Sequence, residues 1–531
     1  MHNRKPLQHN SQSLIEALKN PDIYDHPVSS FTILETHISW IILTGEYAYK
    51  IKKPVNFGFV NFSTLEKRKY YCEEELRLNR KFSEDIYLQV KAIRGNPSAP
   101  QLSGDADIIE YAVKMREFSQ NCLLSRYAEQ NRLQPNHVDS MAIMVCDIHR
   151  QAARAEARSL WGSAETIEKW SEENFQQIEK AIPRSLIPNY FDEMKMWCRN
   201  NLNQLRTQIV ERQQGGFVRE CHGDLHLGNM AYLNDQCTAF DCIEFNEELR
   251  WIDTMSEVAF VIMDLQARGY DNFAWRFLNH TLAISGDYKG LALLPYYTVY
   301  RALVRAKVEA LLVDSQTSVD NGGARDFSRS MHFLELTKYW SRGRHPRLIV
   351  MHGLSGSGKS TVAQDLASRI GAIHIRSDVE RKRKFNLHAT SKSGSSIDAG
   401  IYNKNASQQT YRQLVDIGEG LLTAGFNVII DAACLQLAQR TLFRQLAQKL
   451  QLPCYLISCV APVKVLHERI ARRTEQGMDA SEANHEVLEN QLKTQQPLSR
   501  NELDNPNTLL CNQARLSNKQ LNLISADGIH Y

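Results

Sequence analysis

The nine-residue run GLSGSGKST, at positions 353–361, is the sequence feature that most restricts the fold. It fits the pattern G-x-x-x-x-G-K-[ST], with an apolar run, RLIVMHG, before it and a helix-like run, STVAQDLASRI, after it. Glycines let backbone N–H groups surround phosphate oxygens, the lysine reaches the terminal phosphates, and the serine hydroxyl can bind Mg²⁺. We therefore predict a nucleotide site with these cofactor-binding residues: Gly353, Ser355, Gly356, Ser357, Gly358, Lys359, Ser360 (also a Mg²⁺ ligand) and Thr361.

Short apolar runs alternate with helical patterns from about residue 345 onward. The runs are continuously apolar, as buried parallel strands tend to be: RLIVMHG, AIHIRSD, NVIIDAA, PCYLISCVA and LNLISAD. This alternation predicts an α/β domain with a parallel sheet and helices on both faces. The basic segment SRGRHPR at 341–347 contains Gly343 and Pro346, and it favours a boundary between a first domain at 1–340 and a P-loop domain at 345–531.

Two aspartates follow predicted strands of this second domain, where an open α/β sheet presents its ligands. Asp378 lies in IRSDVERKRKF, and Asp431 ends the apolar part of NVIIDAA. The domain resembles P-loop kinases of the gluconate-kinase-like and zeta-toxin-like group. The resemblance implies that Asp378 orients or deprotonates the acceptor hydroxyl, that Arg381 contacts the acceptor, and that Asp431 binds Mg²⁺ directly or through water. The alternatives are that Asp378 caps a helix and that Asp431 only ends a strand.

Arginines in the segment APVKVLHERIARRTEQGMDASEAN complete the predicted second site. Arg469 and Arg473 share a helical face, and Arg472 is three residues from Arg469. In the P-loop kinases that the domain resembles, an arginine-bearing lid covers the transferred phosphoryl group, so Arg469 and Arg473 are predicted to be catalytic. The alternative is a solvated basic helix face. The run RKRK at 381–384 is interpreted as surface rather than as a nucleic-acid contact.

The run CHGDLHLGN at 221–229 predicts a second phosphate-binding site of a different kind. Asp224 precedes Asn229 by five residues, and Asp241 follows twelve residues later in CTAFDCIEFN. This spacing resembles the aminoglycoside phosphotransferase family and the choline and fructosamine kinases. The resemblance implies a bilobal, protein-kinase-like α+β domain in which Asp224 is catalytic, serving the acceptor hydroxyl, and Asn229 and Asp241 bind Mg²⁺. Gly223 stands where protein kinases carry an arginine, which favours small-molecule over protein acceptors.

The strand-like run YAYKIKKP is predicted to supply the lysine that contacts ATP. Ala48 and Lys50 have the A-x-K arrangement of the kinase β3 strand, and Lys52 is a rival on the same face. A helix glutamate should pair with this lysine. From the three consecutive glutamates of CEEELRLN we choose Glu73.

Two further predictions concern the same domain. The segment VKMREF at 113–118 is predicted to be the hinge, with the backbone at Met115 and Glu117 reaching adenine.

His222 and His226 have a His-x₃-His spacing, but the glycines around them argue against a helix. We interpret His222 as ordering the loop through hydrogen bonds rather than as a zinc ligand.

Bulk composition argues against several classes of protein. Lys and Arg number 63 against 60 Asp and Glu, and this near balance does not favour bulk attraction to nucleic acid or membranes. We find no stretch of about 18 apolar residues, so we expect no membrane span. The start MHNRKPLQHN lacks an apolar run, so we expect no secretory signal. Eleven scattered cysteines without a CxxC pair are typical of reduced thiols in the cytoplasm.

These patterns together predict a bifunctional, cytoplasmic phosphotransferase that uses ATP and Mg²⁺ and acts on small hydroxylated acceptors. We expect neither a membrane nor a nucleic-acid partner. In one alternative, one domain is a nucleotide-binding regulator of the other. In another, the P-loop domain phosphorylates a nucleic-acid end or a nucleotide sugar. Both halves keep their reactive residues, which favours the bifunctional interpretation.

Overall fold

The chain forms two compact units in the computed structural model, which describes residues 12–56, 60–157, 159–316, 325–391, 393–394, 400–476 and 479–525. Unit 1 comprises Met1–Asn174 and Arg206–Asp264, and unit 2 comprises Phe175–Leu205 and Leu265–Tyr531. Within the described residues, no helix combines the length and the apolar character that crossing a membrane requires.

An antiparallel six-stranded sheet forms the N-terminal part of unit 1, in the order β1-β2-β3-β6-β4-β5. Its strands are β1 (Thr32–Glu35), β2 (Ser39–Leu43), β3 (Tyr47–Lys52), β4 (Tyr87–Asn96), β5 (Ala99–Gln101) and β6 (Ile108–Arg116). Helix α1 (Leu65–Asn79) packs against β4 and β6. Thr64 caps α1, because its hydroxyl accepts the N–H of Lys67 at 3.3 Å.

Side-chain alternation along β3 separates two parts of the core. Tyr49 and Ile51 belong to a cluster with Ile42 on one side of the sheet, whereas Ala48 packs with Cys72 of α1 on the other. Since alternate residues of a strand point to the same face, Lys50 and Lys52 share the face of Ala48, toward α1. The sequence prediction for this strand is therefore correct in its phase.

The remaining described residues up to Ser341 are mainly helical, apart from two small antiparallel pairs. The pairs are β7 (Val218–Glu220) with β10 (Trp251–Asp253), and β8 (Met230–Leu233) with β9 (Gln236–Ala239). The helices are α2 (Leu124–Glu129), α3 (Pro135–Gln151), α4 (Ala164–Ala181), α5 (Phe191–Gln214), α6 (Glu247–Arg250), α7 (Thr254–Ala267), α8 (Asp271–Ser285), α9 (Leu294–Gln316) and α10 (Ser328–Ser341).

A parallel five-stranded sheet forms the centre of unit 2, in the order β12-β13-β11-β14-β15. Its strands are β11 (Leu348–His352), β12 (Ala372–Arg376), β13 (Asn427–Asp431), β14 (Cys454–Cys459) and β15 (Thr508–Cys511). The helices are α11 (Lys359–Ile370), α12 (Ser377–Lys384), α13 (Lys404–Thr423), α14 (Leu437–Leu450), α15 (Val463–Gln476), α16 (His485–Thr494), α17 (Arg500–Leu503) and α18 (Asn518–Ser525). The predicted fold class is confirmed, since an α+β part with an antiparallel sheet is followed by an α/β part with a parallel sheet.

The fifth strand of this sheet is not the one that the apolar pattern predicts. The run LNLISAD, which begins at residue 521, reads as a strand in the sequence, but residues 518–525 form α18. The fifth strand is TLLC at 508–511, which pairs with β14. An apolar run this short fits either structure, and the helix buries Ile524 in the same core as Leu509.

The predicted domain limits, 1–340 and 345–531, stay a prediction, because the two compact units of the structure divide the chain at other positions. Within unit 2, Asn279 of α8 donates to the carbonyl of Ala372 (2.9 Å) and accepts the N–H of His374 (2.7 Å). The hydroxyl of Tyr288 donates to Glu380 at 2.8 Å. Helices that precede residue 341 therefore pack with the parallel-sheet part of the chain.

Candidate functional site

The loop between β7 and β8 brings the predicted acceptor and metal residues of unit 1 together. The Asn229 amide donates to the backbone carbonyl of Asp224 (2.9 Å) and to its carboxylate (3.1 Å). The N–H of Phe240 donates to the carbonyl of Asn229 at 3.1 Å, which places Asp241 beside the loop. Asp224, Asn229 and Asp241 thus converge, although they span 18 positions of the sequence.

Buried side chains hold this loop in place. The N–H of Gly223 donates to Glu257 of α7 at 2.7 Å, and the other oxygen of Glu257 lies 3.0 Å from Nε2 of His149. His222 lies 2.9 Å from the carbonyl of Phe240 through Nε2, and its Nδ1 faces the N–H of Asp224 at 3.4 Å. Burial lowers the pKa of His222, so the neutral ring orders the loop in the way that the sequence indicates.

Lys50 joins this cluster from the sheet. Its ammonium group hydrogen-bonds Asp241, and it also contacts Glu75 of α1 at 2.8 Å. Lys52, the rival candidate, contacts Glu75 at 2.6 Å and also hydrogen-bonds Glu244. Lys50 is therefore the lysine beside the predicted Mg²⁺ ligand, while Lys52 lies deeper and holds Glu75 from the other side.

The prediction that Glu73 pairs with the lysine is wrong. Glu73 is exposed and lies 3.8 Å from Lys69, whereas Glu75 is completely buried. The helix phase explains the difference, because Glu75 follows Cys72 by three residues and precedes Leu78 by three. The apolar positions 72 and 78 were the signal that could have identified Glu75.

Two lysines and three carboxylates form one charge network, which is buried except at Asp241, whose side chain is 42% exposed. Burial by itself would raise the pKa of Glu75, but the charges of Lys50 and Lys52 lower it to about 2. Burial acts to lower the pKa of Lys50, but Asp241 and Glu75 outweigh it and raise that pKa well above the usual range. Both groups are therefore charged at neutral pH, and Glu75 fixes Lys50 beside Asp241.

A Glu75→Gln variant is expected to lower the free energy of unfolding by about 3 kcal/mol, because two buried ammonium groups lose a shared carboxylate. Denaturant titration measures this change. The exposed Glu73→Gln variant is the control, and we expect its change to stay within about 0.5 kcal/mol. Equal effects of the two substitutions would contradict the assignment of Glu75.

Asp241 has an unusual backbone conformation, with φ at 62°. Non-glycine residues rarely occupy this left-handed region, and such strain persists where the surroundings impose it, often at functional sites. The N–H of Asp241 donates to the hydroxyl of Tyr87 at 3.0 Å, and its carboxylate faces Lys50. The carboxylate of Asp241 and the amide oxygen of Asn229 are hard oxygen donors of the kind that Mg²⁺ prefers, so these residues fit the ion.

The predicted hinge contact through the backbone of Met115 and Glu117 stays a prediction. Met115 pairs with Ala48 on one side and with Tyr87 on the other, so it lies inside the sheet. The N–H of Glu117 already donates to the carbonyl of Glu46 at 2.9 Å. The side chain of Met115, however, is buried in the cluster that contains Ala48, and so it is available as an apolar wall of a nucleotide pocket.

The glycine-rich loop of unit 2 lies between β11 and α11, as predicted. Gly353 has φ of 139°, and a Cβ atom there would lie 2.4 Å from the carbonyl oxygen of Cys459. Gly358 has φ of 95° and immediately precedes α11. Glycine is required at 353 both by the backbone conformation and by the close approach of β14.

A Gly353→Ala variant is expected to lose about 1–3 kcal/mol of stability, because the methyl group meets the Cys459 carbonyl and the backbone must shift. Thermal unfolding measures the loss. Gly420 lies in α13, where an added methyl group would have no neighbour within 4 Å, so Gly420→Ala should be neutral or stabilising by up to about 1 kcal/mol. A Gly353→Ala protein as stable as wild type would show that the loop does not need its close contact with β14.

Lys359, Ser360 and Asp431 form the charged centre of this second site. The Lys359 ammonium donates to the carbonyl of Leu354 at 2.8 Å, and burial lowers the pKa of Lys359. Burial would raise the pKa of Asp431, but His374, Arg376 and a hydrogen bond with Ser360 lower it to about 2. The Ser360 hydroxyl and an ionised Asp431 are again oxygen donors that suit Mg²⁺.

The loop opens into a cavity of about 1000 Å³. All eight predicted cofactor-binding residues of the loop except Gly353 line it, together with Asp378, Asp431, Arg469, Arg472 and Arg473. Arg469 donates to the carbonyl of Gly356 at 3.2 Å, and Arg473 donates to that of Ala483 at 2.5 Å. Arg469 therefore touches the phosphate loop directly, and the other two arginines share its cavity.

Helix α12 differs in two respects from the possibilities that the sequence raised, namely Asp378 as a helix cap and residues 381–384 as surface. Its N-cap residue is Arg376, and no side chain forms a capping hydrogen bond there, so Asp378 does not act as the cap. The run 381–384 is not simply surface, because Arg381 and Lys382 are buried. Lys382 pairs with Glu482 at 3.0 Å, whereas Lys384 is exposed as expected.

Sequence reasoning missed several residues that line the same cavity. Gln491 of α16 accepts the N–H of Ser355 at 2.9 Å, and Arg376 pairs with Asp479 at 2.8 Å. Tyr402 and the segment 512–514 also line the cavity. None of them lies in a recognisable motif, and only the folding of distant segments brings them to the loop.

Comparison with known proteins adds a family match for the C-terminal part. Residues 348–498 match the family model described as an AAA domain. This match confirms the predicted P-loop domain. Uncharacterized proteins of Mycobacterium bovis and Mycobacterium tuberculosis are 27% identical to this chain over 459 residues, which is 86% of this chain and 89% of each relative.

Two solved structures are similar to different parts of the chain. A choline/ethanolamine kinase family protein from Mesorhizobium loti covers 62% of this chain and 94% of its own, with 9% identity and a TM-score of 0.39. A gluconokinase from Sinorhizobium meliloti covers 32% of this chain and 83% of its own, with 20% identity and a TM-score of 0.23.

Proposed function

We propose that this chain is a bifunctional ATP-dependent phosphotransferase that acts on small hydroxylated acceptors. The observation that carries the proposal is chemical: each unit places a lysine, a potential acceptor-side carboxylate and oxygen ligands for Mg²⁺ in one cluster. In unit 1 these are Lys50, Asp224, Asn229 and Asp241. In unit 2 they are Lys359, Ser360 and Asp431, and Asp378 lines the same cavity.

The first site would work mainly through positioning and charge, as phosphoryl transfer requires. Lys50, held by Glu75, contacts a phosphate oxygen, while Asn229 and Asp241 hold Mg²⁺, which neutralises charge on the phosphates. Asp224, held by the Asn229 amide, orients the acceptor hydroxyl and accepts its proton.

The second site follows the same logic with other residues. Backbone N–H groups of the glycine-rich loop and Lys359 hold the phosphates, and Ser360 with Asp431 holds Mg²⁺. Asp378 orients the acceptor hydroxyl, and Arg469 and Arg473 stabilise charge on the group in transfer. We place both reactions in the cytoplasm, where thiols such as the eleven free cysteines stay reduced.

The test uses the full-length chain, because helices before residue 341 pack with the P-loop part. Wild type, an Asp224→Asn variant and a Lys359→Met variant are each incubated with γ-labelled ATP, Mg²⁺ and a metabolite extract. We expect two sets of labelled small molecules, one lost in each variant. Absence of labelled products that depend on either residue would contradict the proposal.

A further inference from the structure

Two cysteines face each other at the ends of β14 and β15, beside the glycine-rich loop. Cys459 and Cys511 are the last residues of their strands, and they are register partners in the parallel sheet. They are 2% and 4% exposed and belong to the same core cluster, so both side chains lie on one face of the sheet. A hydrogen bond joins the two thiols. Their sulfur atoms are therefore neighbours in the folded protein.

The spacing of the two strands suits a disulfide between these residues. Adjacent strands lie about 4.8 Å apart, and the Cα atoms of disulfide-linked cysteines are usually about 4.4–6.8 Å apart. The N–H of Val460 donates to the carbonyl of Cys511 at 2.9 Å, so the strands stay paired up to their ends. An S–S bond between Cys459 and Cys511 thus needs only a local adjustment of the backbone.

Cys511 is the better nucleophile of the pair. Its hydrogen bond with Cys459 lowers the pKa of Cys511, although burial opposes this effect, and the thiolate is the form that attacks a disulfide. β15 is an edge strand of its sheet, and the segment 512–514 that follows it lines the cavity. Local opening of this strand end would therefore expose the Cys511 sulfur to an oxidant.

Both cysteines are connected to the nucleotide site of unit 2. The Cys511 thiol donates to the carbonyl of Gln513 at 3.3 Å, and Gln513 lines the cavity. The carbonyl oxygen of Cys459 lies against Gly353, at the start of the glycine-rich loop. Oxidation removes the S–H group that donates to Gln513 and draws the two strand ends together, so it disturbs both the segment 512–514 and the loop.

We propose that Cys459 and Cys511 form a reversible disulfide that weakens nucleotide binding at the unit 2 site. The inference rests on the proposed ATP-binding function of that site. It makes the pair a redox sensor, which is the usual role of a transient disulfide in a cytoplasm.

The oxidant is a low-molecular-weight disulfide such as oxidised glutathione. The Cys511 thiolate attacks one sulfur atom of the oxidant and releases the first small thiol. Cys459 then loses its proton and attacks the Cys511 sulfur, which releases the second small thiol. One S–S bond replaces two S–H bonds of the protein, and the oxidant takes up the two electrons and two protons.

The first measurement maps the disulfide in the full-length chain. Wild type is equilibrated with mixtures of oxidised and reduced glutathione, free thiols are blocked, and the chain is digested with trypsin without reduction. Mass spectrometry should show a cross-link between peptides 450–464 and 501–515, and excess reduced glutathione should reverse it. Cys454 lies in the first of these peptides, so Cys454→Ser is the control that must keep the cross-link, whereas Cys459→Ser must lose it.

The second measurement connects the disulfide to the nucleotide. If the disulfide weakens binding, bound nucleotide must oppose the disulfide by the same factor. Saturating Mg²⁺ with the ATP analogue AMPPNP should therefore raise the ratio of oxidant to reductant needed for half-oxidation by on the order of ten- to a hundredfold. Lys359→Met should show no such shift. Both measurements use wild type as the reference, so they test the inference even if Cys459→Ser does not fold.

The outcomes separate this inference from the function on which it rests. A wild-type chain without the cross-link, or with a cross-link that nucleotide does not oppose, would overturn the inference and leave the ATP site in place if the reduced chain binds AMPPNP through Lys359. Absence of Lys359-dependent binding in the reduced chain would overturn both.

Discussion

An Asp224→Asn variant is expected to transfer phosphate at the first site about 10²–10⁴-fold more slowly than wild type. The substitution keeps the shape of the side chain and removes the group that accepts the acceptor proton. The effect should appear in kcat, because nucleotide contacts through Lys50 are unchanged. The measurement requires a Lys359→Met background, so that the second site does not contribute.

The matched control for this variant is Asp235→Asn, which removes an exposed carboxylate in the turn between β8 and β9. It should leave the rate of the first site unchanged. If Asp224→Asn were as active as Asp235→Asn in the same background, Asp224 would not be the group that serves the acceptor.

A Lys359→Met variant is expected to reduce phosphoryl transfer at the second site by about 10²–10³-fold, the scale found when one preorganised charged donor is removed. Lys359 lies at the phosphate loop, where its ammonium group donates to the neutral carbonyl of Leu354. A bound phosphate would offer this ammonium group a charged partner, and such hydrogen bonds are roughly twice as strong as neutral ones. The rate is measured in the Asp224→Asn background.

The control for Lys359→Met is Lys464→Met, which removes an exposed lysine from α15 in the same unit. We expect it to keep both the rate and the affinity for Mg²⁺-AMPPNP. Unchanged transfer in Lys359→Met would remove the phosphate-binding role of the loop lysine.

Sequence patterns correctly predicted the parts of both sites that lie within one short stretch of the chain. The run from Gly353 to Thr361 follows the predicted strand and leads into the predicted helix, which begins at Lys359. The spacing of Asp224 and Asn229 likewise describes one loop whose members touch directly.

The errors arose where an answer depends on packing between distant segments. Choosing Glu73 instead of Glu75 placed the pairing glutamate on the wrong face of α1, whose buried face the apolar positions 72 and 78 mark. The contacts of Glu75 with Lys50 and Lys52 identify the correct partner. The strand at 508–511 was missed because the nearby run LNLISAD was taken as the last strand, and an apolar run this short does not distinguish a strand from a helix. The burial of Arg381 within a basic run depends on residues 401 and 407, and no spacing rule connects them to it.

The central claim is that one chain contains two separate sites for the phosphates of ATP. The number of Mg²⁺-AMPPNP molecules bound per full-length chain, measured by isothermal titration calorimetry, tests it most directly. We predict two for wild type and one for Lys359→Met, with the remaining molecule at the Lys50 site. A wild-type chain that binds a single nucleotide, or a Lys359→Met chain that still binds two with unchanged affinity, would contradict the claim.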